Sequence, residues 1–173
     1  MKRVVRGGWW LLIAAASVGS LAAQDAPKVD STWLTVSPAA KTAELALIAG
    51  LTADYGGLNF NGFREGALTL TVPRGWTVVL HFRNQDAVLP HSVSVIADQG
   101  PVPAAPGAPA FRGAATAKPE GVGNGMSEDV KFGAAKAGSY LIVCAVPGHA
   151  SAGMWIRLKV DAGAKTASLR TDN

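Results

Sequence analysis

Residues 144–155 read Cys-Ala-Val-Pro-Gly-His-Ala-Ser-Ala-Gly-Met-Trp. The stretch holds the chain's one cysteine, with a histidine five positions on and a methionine five beyond that. A thiolate, an imidazole and a thioether are all metal donors, and the Pro and Gly between them suit a loop that wraps a single ion. Two histidines and a cysteine in a trigonal set, with a weak axial methionine, make the donor arrangement of a blue-copper site. Thiolate and thioether favour Cu(I) and imidazole suits Cu(II), so the mixed set holds both oxidation states. Bound copper would also protect a thiol that is otherwise open to oxidation. Cys144, His149 and Met154 are therefore candidate ligands. The bland alternative for Cys144 is a small buried core residue, the usual place of a free cysteine.

The second histidine has to come from elsewhere, and the chain has three in all. His91 follows Leu89-Pro90 at the start of an apolar run. His81 lies between Leu80 and Phe82, on the opposite phase from the apolar residues, which marks it as solvent-facing. His91 is the better candidate. With two histidines assigned, too few remain for a further catalytic copper, and a binuclear thiolate centre would need a second cysteine. Copper delivery or storage is the alternative to electron transfer. It calls for exposed Met and His clusters, whereas the methionines are Met1, Met126 and Met154.

These side chains need strands to hold them. Leu45, Leu47 and Ala49 alternate in Ala-Glu-Leu-Ala-Leu-Ile-Ala, although its composition also suits a helix. Leu68, Leu70 and Val72 alternate with threonines, Pro73-Arg74-Gly75 breaks the run, and Val78, Leu80 and Phe82 resume it; this reads as two antiparallel strands joined by a turn. Val93 and Val95 fall in phase with His91, and Tyr140 and Ile142 with Cys144. Ile156, Leu158 and Val160 point inward while Arg157 and Lys159 point out. Between Ala97 and Glu128 lies a Pro/Gly/Ala-rich stretch too long for a hairpin loop, expected to be a functional insertion over one end of the domain. Short alternating strands with turn signals between them make the fold class all-β, a β-sandwich.

The ends bound the location. Lys2, Arg3 and Arg6 precede an uncharged run from Gly7 to Ala23, and the Ser20-Leu21-Ala22 site suits cleavage. The same run, with Trp9 and Trp10, is also near the length of a membrane anchor. The segment 1–23 is thus a signal peptide or an anchor. Beyond it, 24–40 reads as a linker that can end in a first strand, 41–161 as the domain and 162–173 as a polar, frayed tail. Either reading of the segment exports the rest of the chain. Without the leader's three cations the 13 remaining basic residues nearly balance 12 acidic ones. Nucleic-acid binding is not expected, and the chain is read as a monomer.

The segments Tyr-Leu-Ile-Val-Cys-Ala-Val-Pro-Gly-His-Ala-Ser-Ala-Gly-Met-Trp (140–155) and Leu-Pro-His-Ser-Val (89–93) resemble the mononuclear cupredoxins, whose ligand loop has the form C-x4-H-x4-M. Within that family the chain is most similar to the sulfocyanins, and rusticyanins share the loop spacing. Leu-Asn-Phe-Asn-Gly at 58–62 and Val-Pro-Arg-Gly-Trp-Thr-Val-Val-Leu-His-Phe-Arg-Asn at 72–84 support this, and the resemblance covers about residues 43–160. It implies a Greek-key β-sandwich and copper held by His91, Cys144, His149 and Met154. It also implies one-electron transfer between transient redox partners, and membrane attachment through the N-terminal segment. Ser92 is then placed to hydrogen-bond the loop or the Cys144 sulfur and raise the potential. Pro147 has no N–H to give that sulfur. Electrons are expected to leave by the His149 ring edge, among Ala145, Val146, Pro147 and Ala150.

Overall fold

The computed structural model describes residues 27–171. The apolar segment at 1–23 lies outside them, and among the described residues no helix is long and apolar enough to cross a membrane. Nine strands follow in order: β1 (Leu34–Ser37), β2 (Thr42–Ala49), β3 (Leu68–Pro73), β4 (Thr77–Asn84), β5 (Ser94–Ala97), β6 (Ser127–Gly133), β7 (Gly138–Val143), β8 (Trp155–Asp161) and β9 (Ser168–Thr171). They form two mixed sheets, ordered β1-β2-β4-β6 and β5-β7-β8-β3-β9, packed as an all-β Greek-key sandwich.

Alternation decides which side chains enter the core. In β2, Leu45, Leu47 and Ala49 are buried and their neighbours only partly so, which settles the helix-or-strand ambiguity in favour of strand. A helix would spread these residues around its axis, whereas pairing beside β4 sets them all inward. Leu68, Leu70 and Val72 of β3, Val78, Leu80 and Phe82 of β4, and Ile156, Leu158 and Val160 of β8 join them in one cluster. Each fully buried large side chain contributes roughly 1.5–3 kcal/mol, so the sandwich is a stiff platform for whatever its ends carry.

The hairpin expected at Pro73-Arg74-Gly75 is not one. β3 pairs with β8 and β9, while β4 pairs with β2 and β6, so the chain crosses from one sheet to the other here. Gly75, at φ +85°, makes the corner, and its N–H donates to the Ala134 carbonyl at 2.8 Å. Local alternation cannot tell a hairpin from such a crossover, because both put the same residues inside. The linker ends in a first strand, residues 34–37, paired on β2. The other end differs from expectation. Within the supposed frayed tail, Ser168–Thr171 pairs antiparallel with β3, Leu70 opposite Leu169.

The long stretch between β5 and β6 folds back along β5. Val95 N–H donates to Ala114 O, Ala110 N–H to Val95 O, and Thr116 N–H to Val93 O. Further on, His91 and Val122 form an isolated antiparallel bridge. Phe111 anchors the stretch in the core, stacked at 5.4 Å on Phe132 and tilted against Tyr140 at 4.6 Å.

Candidate metal centre

β5 and β7 run antiparallel with Ser94 opposite Val143. That register brings the residues before β5 level with those after β7, so positions 53 apart in sequence meet at one end of the sandwich. Cys144 Sγ lies 3.7 Å from His91 Nδ1 and 3.5 Å from His149 Nδ1. The three donor atoms are all within 4.8 Å of one another. His91 and Cys144 are fully buried and His149 partly so; the two imidazole rings sit 5.1 Å apart, tilted by 58°.

The loop after β7 is knitted by its own backbone. Cys144 N–H donates to Met154 O at 3.1 Å, Met154 N–H to His149 O at 3.0 Å, and His149 N–H to Val146 O at 3.1 Å. Met154 is thereby returned to the cysteine's side, with its side chain fully buried in the same core cluster. Gly153, at φ +100°, leaves room for Arg64, whose guanidinium donates to the Ala152 carbonyl. A Cβ at Gly153 would run into that guanidinium.

Ser92 performs two tasks with two groups. Its backbone N–H donates to Cys144 Sγ at 3.4 Å. Its hydroxyl, 4.0 Å from the sulfur, instead donates to Pro119 O at 2.9 Å and accepts from Ala145 N–H at 3.1 Å. The sulfur thus meets chiefly backbone N–H groups, of Ser92 and of Val146, with the hydroxyl a longer contact that also ties three loops together.

Burial pushes the Cys144 thiol up, against the pull of the Ser92 and Val146 N–H groups. Burial also holds His91 below its ordinary value, opposed by Asp86, and lowers His149, helped by the nearby His91. Both shifts favour the neutral imidazole, the form that can ligate. His81 is elsewhere: it stands on the outer face of β4, 45% exposed, with Asp129 at 2.8 Å and Glu44 at 3.2 Å.

Sequence reasoning missed the supports of His91. Asp86 Oδ2 is 3.2 Å from His91 Nε2. The buried Asn84 donates from Nδ2 to Leu89 O at 2.9 Å and to Val122 O at 2.8 Å. Gly121, at φ +93°, lets the insertion pass so close that a Cβ there would fall 2.9 Å from the His91 N and O. The one signal in the sequence was the polar Asn84-Gln85-Asp86 run just ahead of the histidine.

Whether this donor set suits copper can be tested on its spacing. Metal–nitrogen bonds of roughly 2.0 Å and metal–sulfur bonds of roughly 2.3 Å meeting at about 120° put the two donors about 3.7 Å apart. The observed 3.7 and 3.5 Å fit, and one soft thiolate with two imidazoles suits copper in both oxidation states. A sandwich with such a triad at one end, closed by a methionine on the cysteine's own loop, belongs to the mononuclear blue copper proteins, the cupredoxins.

Within that class the sulfocyanin (SoxE) domain model matches residues 30–168, and the chain belongs to the sulfocyanin family. A sulfocyanin of Sulfolobus acidocaldarius is 32% identical over 123 residues, covering 66% of this chain and 61% of that protein, so the match spans less than two thirds of the relative. Among solved structures, a rusticyanin variant with a histidine-to-methionine change is similar at TM-score 0.57 and 25% identity, over 79% of this chain and 88% of that one. Rusticyanin from Thiobacillus ferrooxidans (TM-score 0.52, 23% identity, 75% and 88% coverage) shares the fold. So does a reduced auracyanin from Roseiflexus castenholzii (0.50, 24%, 68% and 96%). The cofactor is one mononuclear copper ion.

Proposed function

We propose that this chain is a type 1 copper electron carrier that passes single electrons between redox partners outside the cytoplasm. In this reading His91 Nδ1, Cys144 Sγ and His149 Nδ1 are the three strong ligands and Met154 is the weak axial one. The observation that carries it is the largely buried triad, whose donor spacing already fits one ion. Bound copper supplies a one-electron couple. The chain's own residues do the rest. The backbone bonds within the ligand loop, and the Ser92 hydroxyl across three loops, keep the donors in place while the charge changes, which keeps reorganisation small. N–H donors from Ser92 and Val146 stabilise the sulfur's negative charge and favour the reduced state. His149 is the one member of the triad that reaches the surface, beside Ala145, Val146 and exposed Pro147. Electrons enter and leave there through brief docking of a monomer, a contact at the small, weak end of protein interfaces. The basic and apolar segment at 1–23 supports export, with cleavage or retention as an anchor decided by N-terminal sequencing.

The test is a copper titration with visible spectroscopy. A strong thiolate-to-Cu(II) band that bleaches on reduction and returns on oxidation is the expected result. A colourless protein that holds only Cu(I) and surrenders it to a chelator would overturn the carrier reading in favour of delivery.

A further inference from the structure

The carboxylate behind His91 is largely enclosed and unusually constrained. Asp86 and His91 side chains are 9% and 0% exposed, with Oδ2 facing Nε2 at 3.2 Å. The other oxygen, Oδ1, accepts the N–H groups of Val88 at 2.8 Å and Leu89 at 2.9 Å. The Asp86 backbone is pinned as well, donating to Asn84 Oδ1 at 2.8 Å and accepting from Asn124 Nδ2 at 2.8 Å. Above it runs the 50–57 loop. A Cβ at Gly57 would fall 1.8 Å from Oδ2, and one at Gly50 would fall 2.6 Å from the Asp86 Cβ. Two glycines at positive φ, +63° and +82°, thus make the space the carboxylate occupies. Two backbone N–H donors converge on Oδ1 and a ring nitrogen faces Oδ2, surroundings that suit an ionised acid.

We propose that Asp86 is a positioning residue for the metal centre: it fixes His91 as the Nε2–H tautomer with Nδ1 free for the metal, and its negative charge favours the oxidised ion. The inference rests on His91 being a ligand. A ring that gives its Nε2 proton to a carboxylate presents a more basic Nδ1, which binds the more highly charged Cu(II) better than Cu(I). The fixed charge acts in the same direction through a site that excludes water. Asp86 therefore opposes the N–H donors on the sulfur, which favour the reduced state, and the potential is set between the two.

The change that tests it is Asp86→Asn, nearly the same in shape. An amide has one oxygen. If that oxygen serves Val88 and Leu89, the NH2 group faces Nε2–H; if it serves His91, the backbone donors are orphaned. The expected result in the full chain is a Cu(II) affinity about tenfold weaker, the low end for loss of such a support, with little change for Cu(I). Tenfold in a one-electron couple is about 59 mV, so the potential rises by about that amount. An unchanged potential, or equal weakening for both oxidation states, would overturn the proposal and leave Asp86 a packing residue.

A second measurement needs neither copper nor a variant. Nitrogen-15 NMR of the metal-free wild type should show His91 as the Nε2–H tautomer; Nδ1–H would overturn the proposal. The two readings fail separately. A colourless copper-loaded wild type sinks the carrier function, while the tautomer still decides the part played by Asp86.

Discussion

Replacing Ser92 with alanine separates the two groups by which this residue serves the centre. The hydroxyl's bonds to Pro119 O (2.9 Å) and from Ala145 N–H (3.1 Å) are lost, while the backbone N–H that reaches Cys144 Sγ at 3.4 Å remains. Each lost bond contributes about 1 kcal/mol net, so the protein should lose about 2 kcal/mol. For a domain of this size that lowers Tm by about 4–8 °C. The measurement belongs on metal-free protein, because a bound ion stabilises the native state by mass action and would mask the change. Calorimetry gives the shift, and copper loading then gives the spectrum. The blue band should survive, since the sulfur keeps its backbone donor. An unchanged Tm would refute the view that the hydroxyl ties the three loops. A folded variant without the blue band would show that the hydroxyl, at 4.0 Å, acts on the sulfur after all.

Other expectations follow from the same geometry. His91→Ala and Cys144→Ser should each abolish the blue band on copper titration, while His81→Ala leaves it intact; bleaching by His81→Ala would refute the ligand assignment. Met154→Leu should keep the ion and raise the potential measured by redox titration, and loss of metal would mean that Met154 is more than a weak axial donor. His81 is held above its ordinary value by the Asp129 hydrogen bond and then by Glu44. Its protonated form therefore adds stability that is complete below about pH 6.5 and fades as pH rises through its higher folded value. His91 and His149, held below their ordinary values, act in the opposite direction in both proteins, so the expected result is that the urea-midpoint advantage of the wild type over His81→Ala shrinks across that window; the exposure of the pair keeps the effect small.

The candidate ligands stand out in the sequence because three lie on one loop, where spacing alone brings them near one another. His91 was chosen over His81 by phase, and the structure keeps His81 on the outer face, between two carboxylates. The burial of β2, β3, β4 and β8 was likewise written in alternation. What alternation does not encode is partnership. Nothing local in residues 68–84 says that β3 and β4 lie in different sheets, because inward side chains look alike in a hairpin and in a crossover. The polar end of the chain hides its strand for a related reason. Ser168–Thr171 is an edge strand held by its backbone on β3, and a backbone ladder leaves little trace in side-chain hydropathy.

The least legible part is also what holds the centre together. The insertion is expected to cover one end, and beside the Asn124 amide on Asp86 it bonds the ligand segments through main-chain groups: the Val122 bridge to His91, the Pro119 carbonyl under Ser92, and the Ala104 carbonyl that accepts Gly148 N–H at 2.7 Å. Side-chain chemistry therefore names the donors, but the insertion's carbonyls help hold both ligand segments. The His91 strand start and the Cys144 loop each bond to the same stretch as well as to one another. A change at Gly121 illustrates the consequence, for the atoms nearest a Cβ there belong to the His91 backbone. Such a substitution would disturb the centre by moving the chain that carries a ligand, at a residue with no donor atom of its own to betray the role.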